Sequence, residues 1–123
     1  MAAPGYILVV EDDFDIRDAL TQILEEEGYT VRSAANGREA LDTVGNGTIP
    51  SLILLDLMMP VMNGWQFRAE QLKDARLASV PVLVISADPH LRAKIDAMGD
   101  VGFLKKPIHL DDLLSAVAGR CQR

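Results

Sequence analysis

Cysteine is nearly absent from this chain, since Cys121 is the single one among 123 residues. One cysteine cannot form a disulfide within the chain, so a disulfide-stabilised secreted domain is excluded. The N-terminal residues 1–5 also lack the basic region and the apolar core of a signal peptide. Both features favour a reducing compartment, and we expect the protein to be cytoplasmic.

Long apolar runs and basic clusters are missing as well. No apolar segment approaches the roughly 20 residues that a membrane-spanning helix needs, so we expect no membrane insertion. Acidic residues outnumber basic ones by 18 to 12, which gives a formal net charge of −6. Lys105 and Lys106 form the one adjacent basic pair, and we therefore expect no direct binding of nucleic acid.

Apolar runs and amphipathic segments alternate regularly along the chain. The composition, 49% hydrophobic and 24% charged, is that of a globular protein, and 123 residues make one domain of ordinary size. The alternation occurs about five times, which predicts an α/β fold of the (βα)5 type with a parallel sheet and right-handed crossovers. The predicted strands are Tyr6–Glu11, Tyr29–Ala34, Ser51–Asp56, Val82–Ser86 and Val101–Leu104.

Helical patterns follow the strands, and the strand at residues 29–34 alternates most, which predicts an edge position. Gly28 is expected to end the first helix. The residues predicted to face inward from this helix are Phe14, Ile16, Ala19, Leu20, Ile23 and Leu24. The other helices are predicted between the Asn36-Gly37 turn and Gly45, from Trp65 to about Ala75, from Leu91 to Met98 and from Leu110 to about Arg120.

Three carboxylates fall at predicted strand ends. Asp56 follows an apolar run of four residues, and Glu11 and Asp12 follow another run. Ligands of open parallel sheets gather outside the carboxyl ends of the strands, so central strands would bring these acids together. Such a cluster repels itself unless a cation neutralises it, which predicts a divalent-metal site around a nucleophilic Asp56. Alternatively, Asp12 and Asp56 are helix-capping acids, while Asp13 is interpreted as an acid of the first helical turn.

Five short motifs carry a family resemblance, in register with the predicted strands. They are Glu11-Asp12, Asp56 with Met59-Pro60 three and four residues later, Asn63-Gly64, Ser86-Ala87, and Phe103-Leu104-Lys105-Lys106-Pro107. From about Tyr6 to Val117 the chain resembles the receiver (response-regulator) domain of two-component phosphorelays. The resemblance implies a doubly wound, flavodoxin-like parallel sheet of five strands in the order 2-1-3-4-5, in three α/β/α layers.

The resemblance also implies a role for each motif residue. Asp56 would accept a phosphoryl group from a phosphohistidine of a sensor histidine kinase or phosphotransfer protein. The implied cofactor is Mg²⁺, held by Asp12, by Glu11 through a water, by Asp56 and by the backbone carbonyl of Met58. Lys106 would reach a phosphoryl oxygen from the last strand.

A switch is implied by the same resemblance. The Ser86 hydroxyl would donate a hydrogen bond to the phosphoryl group, and Phe103 would turn inward as Ser86 moves. The last two helices and the last strand would then change their binding of a downstream protein target, with a phosphorylation-linked homodimer as a further expectation. In the family the Lys106-Pro107 bond is usually cis, which would aim Lys106 inward.

Two departures from the commonest family pattern concern the lifetime of the phosphoryl group. Ser86 stands where threonine is frequent, and the hydroxyl therefore lacks the methyl group that restricts its rotamer. Met58 and Asp88 occupy positions that in the family influence the access of water. An apolar Met58 would hinder attacking water, whereas Asp88 could orient it, so the lifetime stays open.

Two other classes of protein compete with the receiver interpretation. A haloacid-dehalogenase-type enzyme would need a second acid where Met58 stands and a cap domain for which the chain has no room. A degenerate receiver that works without phosphate would have lost Asp56, Lys106 or the acidic pair, all of which are present. We therefore expect a single receiver domain over residues 1–123, with its core at about 6–118, no output domain and no enzymatic activity beyond its own phosphorylation and dephosphorylation.

Overall fold

Five parallel strands form the centre of the fold in the order β2-β1-β3-β4-β5. The computed structural model describes residues 5–45, 47–99 and 101–120, so Cys121 and residues 1–4 lie outside the described residues. The strands are β1 Ile7–Val10, β2 Val31–Ala34, β3 Leu52–Asp56, β4 Val82–Ser86 and β5 Gly102–Lys105. The helices are α1 Phe14–Glu26, α2 Gly37–Val44, α3 Gly64–Lys73, α4 Arg92–Asp96 and α5 Leu110–Ala118. The predicted fold class and strand order are confirmed.

Helices cover both faces of the sheet, because alternate residues of each central strand point to opposite sides. One face packs Leu8 and Ile53 with residues of α2, α3 and α4. The other face packs Ile7 and Leu52 with residues of α1 and α5. All residues of β1, β3 and β4 are buried, whereas β2 exposes two of its four residues and lies at an edge, as predicted.

The first helix corrects two predicted core residues, since Phe14 and Ala19 are both exposed. Phe14 is the first residue of α1 and is 65% exposed instead of inward-facing. Phe14 and the buried Leu20 are six positions apart, which places their side chains about 120° apart around the axis at 3.6 residues per turn. The helix ends before Gly28, whose φ of 96° is the left-handed conformation that glycine adopts without strain.

The segment after β4 is less helical than its apolar pattern predicts. The expected helix Leu91–Met98 is replaced by a 3-10 turn, Pro89–Leu91, followed by the five-residue helix α4. Asp88 starts the turn, because its Oδ1 accepts a hydrogen bond of 2.8 Å from the His90 backbone N–H. Helix α5 ends at Ala118 and not at Arg120. Within the described part of the chain, no helix combines the length and the apolar character required to span a membrane.

Candidate functional site

Three carboxylates meet at the carboxyl edge of the sheet. Glu11 directly follows β1 and Asp56 ends β3, and these strands are neighbours with Val10 opposite Leu55. One carboxylate oxygen from each of Glu11, Asp12 and Asp56 lies within 4.8 Å of the others. Glu11 and Asp56 are buried, whereas Asp12 is exposed at the mouth of the cluster. The predicted convergence of these side chains is therefore observed.

Helix capping does not explain Asp12 or Asp56. The N-cap of α1 is Asp13, whose Oδ1 accepts a hydrogen bond of 3.1 Å from the Ile16 backbone N–H. The N-cap of α3 is Asn63, which forms a reciprocal capping box with Gln66. The capping alternative for Asp12 and Asp56 is thus wrong, and Asp13 lies one position before the first helical turn.

Lys106 brings one positive charge into the cluster. Its Nζ lies 2.6 Å from Glu11 Oε1 and 3.5 Å from Asp56 Oδ1. The residue follows β5 directly, its backbone N–H donates to the Ser86 carbonyl at 2.9 Å, and the Lys106-Pro107 peptide bond is cis, as the family resemblance led us to expect. The side chain is only 18% exposed, whereas the neighbouring Lys105 points to solvent.

One lysine does not neutralise three carboxylates. Burial, followed by the hydrogen bond and the charge of Glu11, raises the pKa of Asp56 to about 8, although Lys106 lowers it. Burial lowers the pKa of Lys106, but the hydrogen bond to Glu11 and the charge of Asp56 outweigh it, so the pKa is raised overall. Among the residues that the structure describes, none forms a hydrogen bond with the buried Oε2 of Glu11. A set of oxygen donors with excess negative charge and an unused buried lone pair fits a hard divalent cation.

Ser86 and Phe103 lie on the two strands beside the cluster. Ser86 ends β4, one residue beyond the partner of Asp56 in the β3–β4 ladder, and is 2% exposed. Its Oγ accepts a hydrogen bond of 3.2 Å from the Asp88 backbone N–H. Phe103, in β5, is half-buried, and the Arg92 guanidinium carbon lies 5.2 Å from its ring centroid. The structure therefore places Ser86 at the carboxyl end of the inner strand β4 and Phe103 against α4.

The loop between β3 and α3 is held tightly against Asp56. A Cβ on Gly64 would lie 2.7 Å from the Asp56 backbone oxygen, so only glycine allows α3 to begin this close to the strand. The Gly64 N–H donates to the Leu57 carbonyl at 3.0 Å. Within the loop, Val61 has a φ of 70°, which is a strained conformation for a β-branched residue. The Met58 side chain is 63% exposed beside this strained segment.

Sequence reasoning missed Arg17. This residue of α1 reaches back to the loop that carries the acidic pair, and its Nη1 donates to the Glu11 carbonyl at 2.7 Å. A longer contact of 3.4 Å joins the same atom to the Asp12 carbonyl. The available signal was positional, because an arginine four residues after an N-cap lies one turn along the helix and can reach the preceding loop.

Comparison with known proteins agrees with this geometry. The family model for the response regulator receiver domain matches residues 7–118. Response regulator Rre1 of Synechocystis is 35% identical over 120 residues, which cover 95% of this chain and 52% of that protein. The chain thus spans about half the length of the curated relatives it matches.

Solved structures of response regulator proteins are also similar to this chain. Chemotaxis protein CheY4 of Vibrio cholerae has a TM-score of 0.87 and 30% identity, covering 96% of this chain and 99% of that chain. Response regulator protein TrrA of Thermotoga maritima, in complex with Mg(2+)-BeF, has a TM-score of 0.82 and 30% identity, covering 94% and 97%.

The chain belongs to the response regulator receiver domain family. Receiver domains are signalling domains, and membership places this chain in two-component signalling as a phosphoacceptor domain. The acidic cluster fits a metal site of such a domain. The dehalogenase alternative is therefore wrong, in agreement with the exposed methionine at position 58.

Proposed function

We propose that Asp56 is the phosphoacceptor of this receiver domain and takes a phosphoryl group from a phosphohistidine of its kinase or phosphotransfer protein. One observation carries the proposal: the Asp56 carboxylate ends a central strand, 3.5 Å from Lys106 and beside two further carboxylates. The partner histidine supplies the phosphoryl group, and the receiver supplies the nucleophile and the surrounding charge. We propose further that the domain has its core at about residues 6–118 and works in the cytoplasm.

The chemistry that we propose is a single in-line displacement. A carboxylate oxygen of Asp56 forms a bond to phosphorus while the phosphorus–nitrogen bond of the phosphohistidine breaks, and the electron pair of that bond returns to the histidine. Lys106 stabilises negative charge on the transferred oxygens, and the Ser86 hydroxyl donates to one of them once it turns from the Asp88 N–H. In this way the domain promotes its own phosphorylation, and attack by water on the acyl phosphate reverses it, without acting on other substrates.

Mg²⁺ is the cofactor that we propose for this step. The residues that would hold it are Asp12, Asp56, Glu11 through a water, and the backbone carbonyl of Met58. When bound, the ion supplies positive charge that offsets the phosphoryl oxygens. The excess of carboxylates and the unpartnered Glu11 Oε2 support this choice, as does the Mg(2+)-BeF present in the complex of the similar protein TrrA.

Signal output is proposed to run through the switch pair Ser86 and Phe103. A phosphoryl group that draws the Ser86 hydroxyl inward pulls on the segment before α4, and Phe103 then leaves its contact with Arg92 to fill the space. The surface formed by α4, β5 and α5 changes as a result, and a downstream protein or a second copy of the domain binds it differently. We propose that the domain does not bind nucleic acid directly.

The kinase or phosphotransfer protein is proposed to dock beside α1. An apolar groove of about 360 Å³ runs next to the acidic cluster, with Ile16, Leu20, Ile108 and Leu113 among its lining residues and Lys106 at its edge. A partner bound there can present its histidine to Asp56 without entering the domain.

The phosphoacceptor proposal is tested by intact mass. After incubation with Mg²⁺ and a small acyl-phosphate donor, the protein is expected to gain one phosphoryl group, because the donor replaces the phosphohistidine. The variant Asp56→Asn and a sample containing EDTA are run in parallel, and neither is expected to gain mass. A gain that persists in Asp56→Asn would place the acceptor elsewhere, and no gain in the folded, Mg²⁺-bound protein would favour a domain that works without phosphate.

The switch is tested by amide NMR with beryllium fluoride as the phosphoryl mimic. We expect shift changes at the site and also at α4, β5 and α5, because Ser86 and Phe103 connect them. The variant Ser86→Ala removes the hydroxyl and is expected to keep the changes at Asp56 while losing those on the α4-β5-α5 surface. Unchanged shifts on that surface in the wild-type protein would refute the switch.

A further inference from the structure

The loop that carries the acidic pair is held by an arginine outside the predicted site. Arg17 Nη1 lies 2.7 Å from the Glu11 carbonyl and 3.4 Å from the Asp12 carbonyl, and the backbone N–H of the same residue donates to the Asp13 carbonyl at 2.9 Å. One residue of α1 therefore contacts the backbone oxygens of three consecutive loop residues. On the other side, the Glu11 N–H donates to the Ala34 carbonyl at 3.0 Å.

These contacts fix the direction in which the acidic side chains leave the backbone. The Glu11 N–H is bonded to Ala34 of β2 and the Glu11 carbonyl is bonded to Arg17, so neither of the two peptide units that flank Glu11 can rotate without breaking a hydrogen bond. The Asp12 carboxylate is exposed and has no helix to hold it, so its position depends on this loop. The Phe14 ring centroid lies 5.5 Å from the Arg17 guanidinium carbon, within the range of a cation–π interaction.

The guanidinium charge of Arg17 is not used in an ion pair. Among the described residues, no carboxylate oxygen lies within 4.0 Å of it, so the charge is directed at backbone oxygens. Two effects on a nearby cation then have opposite signs. As a charge, Arg17 repels the cation, whereas as a hydrogen-bond donor it orders the carboxylates that bind the cation.

We propose that Arg17 is a positioning residue for the metal site, acting through the backbone of Glu11 and Asp12, and that ordering outweighs repulsion. The inference rests on the proposed function, because it takes Glu11 and Asp12 as ligands of the cation. Arg17 touches neither the metal nor the phosphoryl group. A single guanidinium nitrogen, Nη1, makes both carbonyl contacts, so the position of that nitrogen matters as well as its charge.

The test measures binding of Mg²⁺ alone by calorimetry, at fixed pH and ionic strength. In Arg17→Gln we expect the Mg²⁺ dissociation constant to rise about tenfold, as is typical when a residue that orients a metal ligand is lost. Arg17→Lys keeps the charge but replaces the guanidinium by an ammonium on a different stem, and its Mg²⁺ affinity is expected to lie between those of Arg17→Gln and the wild type. Lys73→Gln is the matched charge control, since it removes one exposed positive charge at the far end of α3 and is expected to leave the affinity unchanged.

The direction in which the Mg²⁺ dissociation constant changes decides whether the proposal holds. If Arg17 acted only through its charge, Arg17→Gln would bind Mg²⁺ more tightly than the wild type. Tighter or unchanged binding of Mg²⁺ by Arg17→Gln would therefore overturn the proposal that Arg17 positions the metal ligands. Thermal melts without metal check that each variant is folded, and if Arg17→Gln does not fold, weaker binding by Arg17→Lys carries the test. Wild-type protein that binds Mg²⁺ but gains no phosphoryl group refutes the phosphoacceptor proposal alone, whereas wild-type protein that binds no Mg²⁺ refutes both.

Discussion

Replacing Lys106 with methionine is expected to slow phosphorylation of Asp56 about a hundredfold or more, the usual cost of removing one preorganised stabilising group from a buried site. The same change is expected to lower the free energy of unfolding of the metal-free protein by about 3 kcal/mol, because it leaves a buried carboxylate without its charged partner. Lys106 Nζ is the group 2.6 Å from Glu11 and 3.5 Å from Asp56, and methionine keeps the apolar stem while removing the charge.

Two comparisons separate this role from a general effect of charge. Lys105→Met removes the same charge from the neighbouring, exposed lysine and is expected to change neither the phosphorylation rate nor the stability measurably. Combining Lys106→Met with Asp56→Asn is expected to recover part of the stability at neutral pH, because asparagine needs no proton whereas Asp56, with its raised pKa, must take one up on folding. Urea unfolding measures the stabilities and intact mass follows the phosphorylation. Equal effects of the two lysine variants would refute the assigned role of Lys106.

The convergence of the acids was predictable from the sequence because strand ends are visible in it. The apolar runs before Glu11 and Asp56 mark β1 and β3, and a parallel sheet brings the carboxyl ends of its strands to one edge. The ion pair of Lys106 with Glu11 was not predictable in that way, since the two residues are 95 positions apart. Only the resemblance to a known family placed the lysine near the acids.

The parts that could not be predicted depend on side-chain reach and on single backbone conformations. The contact of Arg17 with the loop before its own helix needs a particular rotamer, and no pattern of apolar residues encodes it. The positive φ of Val61 is of the same kind, because a β-branched residue in an exposed loop gives no warning of it. Helix α4 was predicted too long because the apolar spacing of Leu91 and Met98 continues through the 3-10 turn and past the helix end.

The stability of the metal-free protein is expected to fall, relative to that of Asp56→Asn, as the pH rises from about 4 to about 8. Burial and Glu11 raise the pKa of Asp56 from its ordinary 3.8 to about 8 in the folded state. Between these values the folded protein holds a proton that the unfolded chain has lost, so each rise in pH favours unfolding. The raised pKa of Lys106 keeps that residue charged throughout this range, and its contribution stays constant.

Asparagine at position 56 removes this titration. Subtracting the wild-type free energy of unfolding from that of Asp56→Asn therefore cancels the contributions of carboxylates that do not interact with Asp56. We expect this difference in the free energy of unfolding to grow by about 2–4 kcal/mol between pH 5 and pH 8, given 1.36 kcal/mol per pKa unit, and to level off above pH 8.

The variant Asp42→Asn, at an exposed position, serves as the control. Its free energy of unfolding is expected to differ from that of the wild type by the same amount at every pH. Saturating Mg²⁺ binds the ionised carboxylates, so it is expected to abolish or reverse the difference. If the difference between Asp56→Asn and the metal-free wild type does not change with pH, Asp56 is already ionised without metal. Lys106 would then offset the negative charge of the carboxylates more strongly than its two contacts indicate.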